Sequence, residues 1–284
     1  MEGKMVGYST ILMLAVTGCY TITSLSDKYA AAKARFSGNE FTFLMCSSMS
    51  VFLFLTLPFQ KISFDFSVAA FAGVLLVALC KFLEFKMSAL VLRELSAFEL
   101  KAWLGVTLLV SYFTDVLFGD VLKFTKFACL CLTALGLVFI VKSDKAEKAD
   151  YKKIVIPLVL YIMSKYGYGL AIRSFAKHAS SVMLLLPALF LIAVGMFPFV
   201  DMKIYREKAA GTRNVVLARI PNTAGMIMEN AVIAISLASY SLIQPMILVT
   251  LFLISALRHE CGSRGSIMGS LMCIAGTIMF QLMK

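Results

Sequence analysis

Residues 142–153 read KSDKAEKADYKK, a stretch dominated by charge. The chain on either side of it is the opposite. Apolar runs of roughly 18–22 residues follow one another with short connections, and that is the length that crosses a hydrocarbon core of about 30 Å. Ten such runs are expected, at about residues 6–25, 40–57, 67–87, 97–118, 124–141, 154–172, 182–200, 215–236, 238–256 and 266–283. Five precede the charged stretch and five follow it. The expected fold is an all-α polytopic membrane protein with ten transmembrane helices in two inverted five-helix repeats. The expected organisation is a first repeat at 1–141, a basic connecting loop at 142–153 and a second repeat at 154–284.

Composition agrees. Of the 284 residues, 60% are hydrophobic and only 15% charged, and mean hydropathy is +0.88. A soluble domain is about 45–50% apolar and about 25% charged. The net charge of +11 lies mostly in short loops, so its expected partner is anionic membrane lipid. Nucleic acid is not expected, because no basic helix or base-stacking motif accompanies the charge. The seven cysteines fall mostly within apolar runs with no C-x-x-C spacing, and His178 and His259 have no ligand-spaced neighbours. No metal site, cofactor or disulfide framework is expected. Val16-Thr17-Gly18-Cys19 has the look of a lipoprotein cleavage box, but the many spans that follow favour a first transmembrane helix.

Shifting the first half by 140 residues brings landmarks together: Asp120 onto Glu260, Gly136 onto Gly276, Ser96 onto Ser236 and Gly105 onto Pro245. An odd number of spans per repeat sets the halves in opposite orientations, which is a common transporter architecture with its site near the membrane midplane. The second half also carries SLIQPMILVTLFLISALRHE followed by IMGSLMCIAGTIM, an apolar helix with a central proline, an acid at its end and glycines seven apart (Gly269, Gly276). This pattern resembles the ten-helix branch of the drug/metabolite transporter superfamily, the EamA-like proteins and their nucleotide-sugar-transporter relatives. The first-half counterpart, SAFELKAWLGVTLLVSYFTDVLFGD then LCLTALGLVF, departs from it at Gly105, where proline is frequent, and at Cys129, where the first glycine would fall. The resemblance implies the fold and transport by alternating access. It implies a structural role for Asp120 and Glu260 at a helix boundary. It names no substrate, since the superfamily carries amino acids, nucleotide sugars, cations and other solutes.

Orientation is read two ways. Lys and Arg are about twice as frequent in loops after odd-numbered spans, which places those loops in the cytoplasm and both termini outside. The resemblance implies termini inside. An integral, multi-pass location follows from either, with the plasma or inner membrane favoured and an organelle membrane as the other option.

An ionisable group near the bilayer centre costs about 2.5–3.5 kcal/mol, so it needs a partner, a wet cavity or a purpose. In 219–237, RIPNTAGMIMENAVIAISL, Asn222, Glu229 and Ser236 recur at seven-residue steps and share a helix face, with Asn230 in a neighbouring row. Pro221 suits a first helical turn. Tyr161, Lys165 and Tyr168 share a face of the sixth span, and Lys165 is the leading partner for Glu229, with Arg219 the other option. Lys81 and Glu84, at i and i+3 in the third span, either neutralise each other or face the central cavity. These nine residues form the expected substrate site. Thr107, Ser111 and Asp115 make a weaker stripe, as do Thr17, Tyr20, Thr21 and Ser24.

The expected function is a secondary transporter of a small polar organic solute (metabolite, amino acid, nucleotide sugar or drug-like), with proton coupling through a buried carboxylate as an option. A flippase for a lipid or lipid-linked sugar is the alternative. A membrane enzyme is disfavoured, because no nucleophile–base pair or metal cluster is present in the sequence, and so is a non-transporting receptor.

Overall fold

The computed structural model describes residues 2–32, 36–95, 100, 103–143, 151–257 and 264–283. Among the described residues, ten helices overlap the ten apolar runs, the fourth run (97–118) only over its second half: α1 (Glu2–Ala32), α2 (Gly38–Thr56), α3 (Val68–Glu94), α4 (Thr107–Leu117), α5 (Phe124–Ser143), α6 (Tyr151–Phe175), α7 (Ser181–Met196), α8 (Ala209–Ile235), α9 (Leu237–Leu257) and α10 (Arg264–Leu282). A short extra helix, Lys203–Glu207, precedes α8, and no strand occurs among the described residues. Four segments are long and apolar enough to cross a membrane: Gly38–Phe59, Val68–Glu94, Ile154–Phe175 and Ser181–Phe199. The apolar parts of the others are shorter, as in Thr107–Leu117 and Leu237–Leu251. Ser96, His259, Glu260, Cys261 and the centre of the 142–153 loop lie outside the described residues.

Three helices run well beyond their expected spans, and one of them, α3, continues to Glu94, past the expected end near residue 87. Helix α1 continues to Ala32, past the expected end near residue 25. Helix α8 starts at Ala209, so Pro221 lies in its interior and not in its first turn. A proline there has no N–H to offer the carbonyl four residues back, on Leu217.

The chain divides into two compact units, and each draws on both sides of the 142–153 loop. The first comprises Met1–Thr21, Leu95–Ala149 and Ala231–Lys284. Within it α5 packs along α10, and α9 packs on α4 and α10. The α5–α10 seam is close because glycines remove side chains at the crossing. A Cβ on Gly136 would lie 2.6 Å from the Gly269 carbonyl and 2.9 Å from the Cys273 nitrogen. A Cβ on Gly276 would lie 2.3 Å from Thr133 Oγ1 and 2.8 Å from the Cys129 carbonyl. Cys273 Sγ donates to the Thr133 carbonyl at 3.4 Å. The entry to α9 is capped by Asp115 of α4. Its Oδ1 accepts from the Leu237 N–H at 2.9 Å, and its Oδ2 accepts from the Ala238 N–H and the Ser236 hydroxyl, both at 2.8 Å. A carboxylate at a helix N-terminus satisfies orphan donors and suits the helix dipole.

The second unit comprises Ile22–Glu94 and Asp150–Asn230. Within it α3 packs along α6, α2 along α7, and α3 also touches α2 and α7. Ser37 and Glu40 form a reciprocal capping box at the start of α2. Loops 60–67 and 176–180 are clasped together. The Asp65 N–H donates to the His178 carbonyl at 3.0 Å, the Ser180 N–H to the Ser63 carbonyl at 2.8 Å, and His178 Nδ1 sits 2.7 Å from Asp65 Oδ2.

Burial in this unit is reversed relative to a water-soluble fold. Phe54 and Leu55 of α2, Leu75 of α3, Ile156 of α6 and Phe190 of α7 are exposed, while Lys81, Glu84, Lys165, Arg219 and Glu229 are buried. Lys, Glu and Arg are almost never fully buried unless paired. The outer faces are apolar, and the charges point inward.

Candidate functional site

The inward charges form one connected group. On α3, Lys81 Nζ donates to Glu84 Oε2 at 2.7 Å, a pairing that the i, i+3 spacing allows on one helix face. On α6, Lys165 Nζ lies 3.1 Å from the other Glu84 oxygen. The same ammonium lies 3.3 Å from Glu229 Oε1 on α8. The order is therefore Lys81, Glu84, Lys165, Glu229, alternating in sign over three helices. The residues are 1%, 7%, 7% and 0% exposed. An isolated charge so placed would be strongly penalised, and alternation with hydrogen bonding is what makes the arrangement tolerable.

Neutral groups brace it. Lys81 Nζ stands 3.6 Å from the centre of the Tyr168 ring, a cation–π contact. The Tyr168 hydroxyl donates to Asn230 Oδ1 at 2.6 Å, tying α6 to α8. Tyr161 is buried on α6, one helical turn before Lys165. Helices α3 and α6 can lie this close because Gly167 faces Cys80, whose Sγ would be 3.2 Å from any Cβ there.

Six of the nine expected site residues thus meet: Lys81, Glu84, Lys165, Tyr168, Glu229 and Asn230, with Tyr161 nearby. Lys81 and Glu84 pair with each other, as one of the two readings expects, and Glu84 also joins Lys165. Asn222 is buried in the same unit, but its amide nitrogen faces Met49 Sδ at 3.3 Å. Ser236 falls beyond the end of α8, in the first unit, where its hydroxyl serves Asp115 and accepts from the Ser239 N–H at 3.0 Å. The seven-residue row from Asn222 is therefore interrupted at its third member by the helix break. Of the weaker stripes, Thr17 and Thr21 return their hydroxyls to carbonyls four residues back, and Ser111 bonds Ser241.

A second ion pair, with its arginine buried, was not anticipated. Arg219 of α8 is fully buried and pairs with Asp27 of α1. Its Nε also donates to the Val215 carbonyl at 3.2 Å, and its Nη1 to Met45 Sδ at 3.5 Å. The Arg219 guanidinium is thus held by Asp27 of α1 and Met45 of α2. Asp27 sits just past the expected end of the first span, so hydropathy assigned it to a loop. Among the described residues no group of three His, Cys, Asp or Glu side chains is placed to hold a metal ion. The chain matches no family model and no curated protein.

Proposed function

We propose that the chain is a ten-span, multi-pass membrane transporter built from two inverted five-helix repeats, and that it moves a small polar organic solute by alternating access. The observation that carries the reading is the buried Lys81–Glu84–Lys165–Glu229 group inside a unit whose outer faces are apolar. Ionisable residues at membrane depth face a bundle interior or a pathway, and they mark substrate or ion sites. The repeat reading is supported by the α5–α10 seam. Under the 140-residue shift, Gly136, Cys129 and Thr133 correspond to Gly276, Gly269 and Cys273. Gly136 lies against Gly269 and Cys273, and Gly276 lies against Cys129 and Thr133, so each contact has its counterpart under the shift. Such reciprocity is what pseudo-two-fold-related helices produce.

In this reading the paired cluster is the closed state. Substrate entry competes for Lys165 and Glu229, and the helices that carry them rearrange. Proton coupling, where it occurs, runs through Glu229. The test is a thermal-shift screen of purified protein against amino acids, nucleotide sugars, polyamines and aromatic cations, followed by counterflow in proteoliposomes for each stabilising compound. Wild type is expected to exchange at least one compound, and Glu229→Gln and Lys165→Met to lose that exchange. Exchange in both variants at the wild-type rate rejects the site, and absence of any binding or exchange rejects the transport reading.

A further inference from the structure

The charges of Lys81, Glu84, Lys165 and Glu229 sum to zero, and that sum restricts what the site can accept. Two lysines face two glutamates, and all four are buried. Of the three links, Lys165–Glu229 is the longest at 3.3 Å, against 3.1 Å and 2.7 Å for the others, and it is the one that joins α6 to α8. Opening this link leaves Lys165 anchored to Glu84 and separates a cation from an anion in a water-poor setting, where separation is costly. A ligand with one net charge restores only one side and leaves the buried group charged. A ligand with an anionic and a cationic group restores both and keeps the sum at zero.

A second observation points the same way. Asn230 is buried, and its Oδ1 is taken by Tyr168, but its Nδ2 has no hydrogen-bond partner among the described residues. An amide nitrogen only donates, so this group calls for an acceptor. Thr223 Oγ1, seven residues earlier on the same face, is also buried without a partner. Unsatisfied buried polar atoms are rare in native structures and call for an explanation. A carboxylate held by Lys165 would present oxygens for such donors.

We propose that the site takes a zwitterion of the amino-acid type, with its carboxylate on Lys165 and Asn230 and its ammonium on Glu229. This rests on the transport reading of the same cluster. Polyamines, aromatic cations and nucleotide sugars are disfavoured by the charge sum, because each would bring unbalanced charge into the site.

The experiment uses matched triplets on the full chain in nanodiscs: each standard amino acid, the amine without its carboxylate and the acid without its amine. Phenylalanine, phenethylamine and 3-phenylpropionate make one triplet. Binding is read by calorimetry. At least one amino acid is expected to bind, and both of its truncated partners to bind at least about tenfold more weakly, the loss expected when a charged contact is removed. Asn230→Ala is expected to weaken the amino acid by about tenfold while eluting as a folded monodisperse protein, and Thr223→Val provides a second variant on the same face. A lone amine or acid that binds as tightly as its parent overturns the proposal. So does the absence of amino-acid binding when another class from the wider screen binds and is exchanged, and in that case the transport reading survives. Failure of every compound in both experiments removes both.

Discussion

Lys165→Met is the sharpest perturbation of the cluster, because one ammonium serves two carboxylates, at 3.1 Å and 3.3 Å. Its removal leaves Lys81 facing Glu84 and Glu229, so the buried group changes from neutral to a net charge of −1. Breaking a buried pair by removing one partner costs about 3–5 kcal/mol. Glu229→Gln leaves the group at a net +1, but Lys165 keeps Glu84, so its cost is expected near the lower end of that range, about 3 kcal/mol. The double variant Lys165→Met/Glu229→Gln returns the sum to zero with Lys81–Glu84 intact. It is expected to cost about 1–3 kcal/mol less than the two single changes added together, within the range of coupling between contacting groups. The assay is equilibrium unfolding in mixed micelles with denaturing detergent, read by far-ultraviolet circular dichroism. Additivity to within about 0.5 kcal/mol, as for distant sites, refutes the reasoning.

Three further outcomes are expected. Gly276→Ala is expected to destabilise by about 1–3 kcal/mol, since its methyl would sit 2.3 Å from Thr133 Oγ1, whereas Gly18→Ala, with nothing within 4 Å, should be neutral or stabilising; similar unfolding midpoints for the two would contradict the α5–α10 packing. Asp115→Ala is expected to cost at least the roughly 0.5–2 kcal/mol of a lost helix cap, with faster amide exchange at the start of α9; unchanged exchange at Leu237 and Ala238 would contradict the capping role. In the loop clasp, hydrogen bonds from Ser67, then His178, hold the Asp65 carboxyl at about 2, below its ordinary 3.8. A depressed carboxylate contributes stability above its unfolded value and loses it as pH falls through the folded one, so wild type should lose stability between about pH 4 and pH 2 more steeply than Asp65→Asn. Parallel acid limbs for the two proteins would count against the clasp.

Much of the helix layout was legible, because a run of apolar residues at membrane length leaves the backbone no alternative to helix. Hydropathy measures the apolar core and not the helix. That is why the apolar runs fall short of the ends of α1 and α3 and the start of α8, leave Asp27 in a loop, and put Pro221 at a helix start. The Lys165–Glu229 pairing was legible because each is a lone charge deep in an apolar run. Lys165 as a bridge to Glu84 was not legible, since a sequence shows the i, i+3 spacing of Lys81 and Glu84 but not which helix packs beside them. Ser236 fitted a heptad that the helix break interrupts. The break depends on Asp115, more than a hundred residues away, and no local signal at Ser236 reports it.

The central claim is that the buried cluster becomes open to each side of the membrane in turn, and Cys80 lies next to it. Its thiol is buried and faces Gly167, and the residue directly precedes Lys81 in sequence. The direct measurement retains Cys80 as the sole cysteine in a variant that still exchanges substrate, and applies a membrane-impermeant maleimide to one side or the other of sealed vesicles. Alternating access predicts slow labelling from both sides, with both rates changed by the transported solute. Labelling from neither side until the protein is unfolded would make the cluster a permanent structural core and contradict the account.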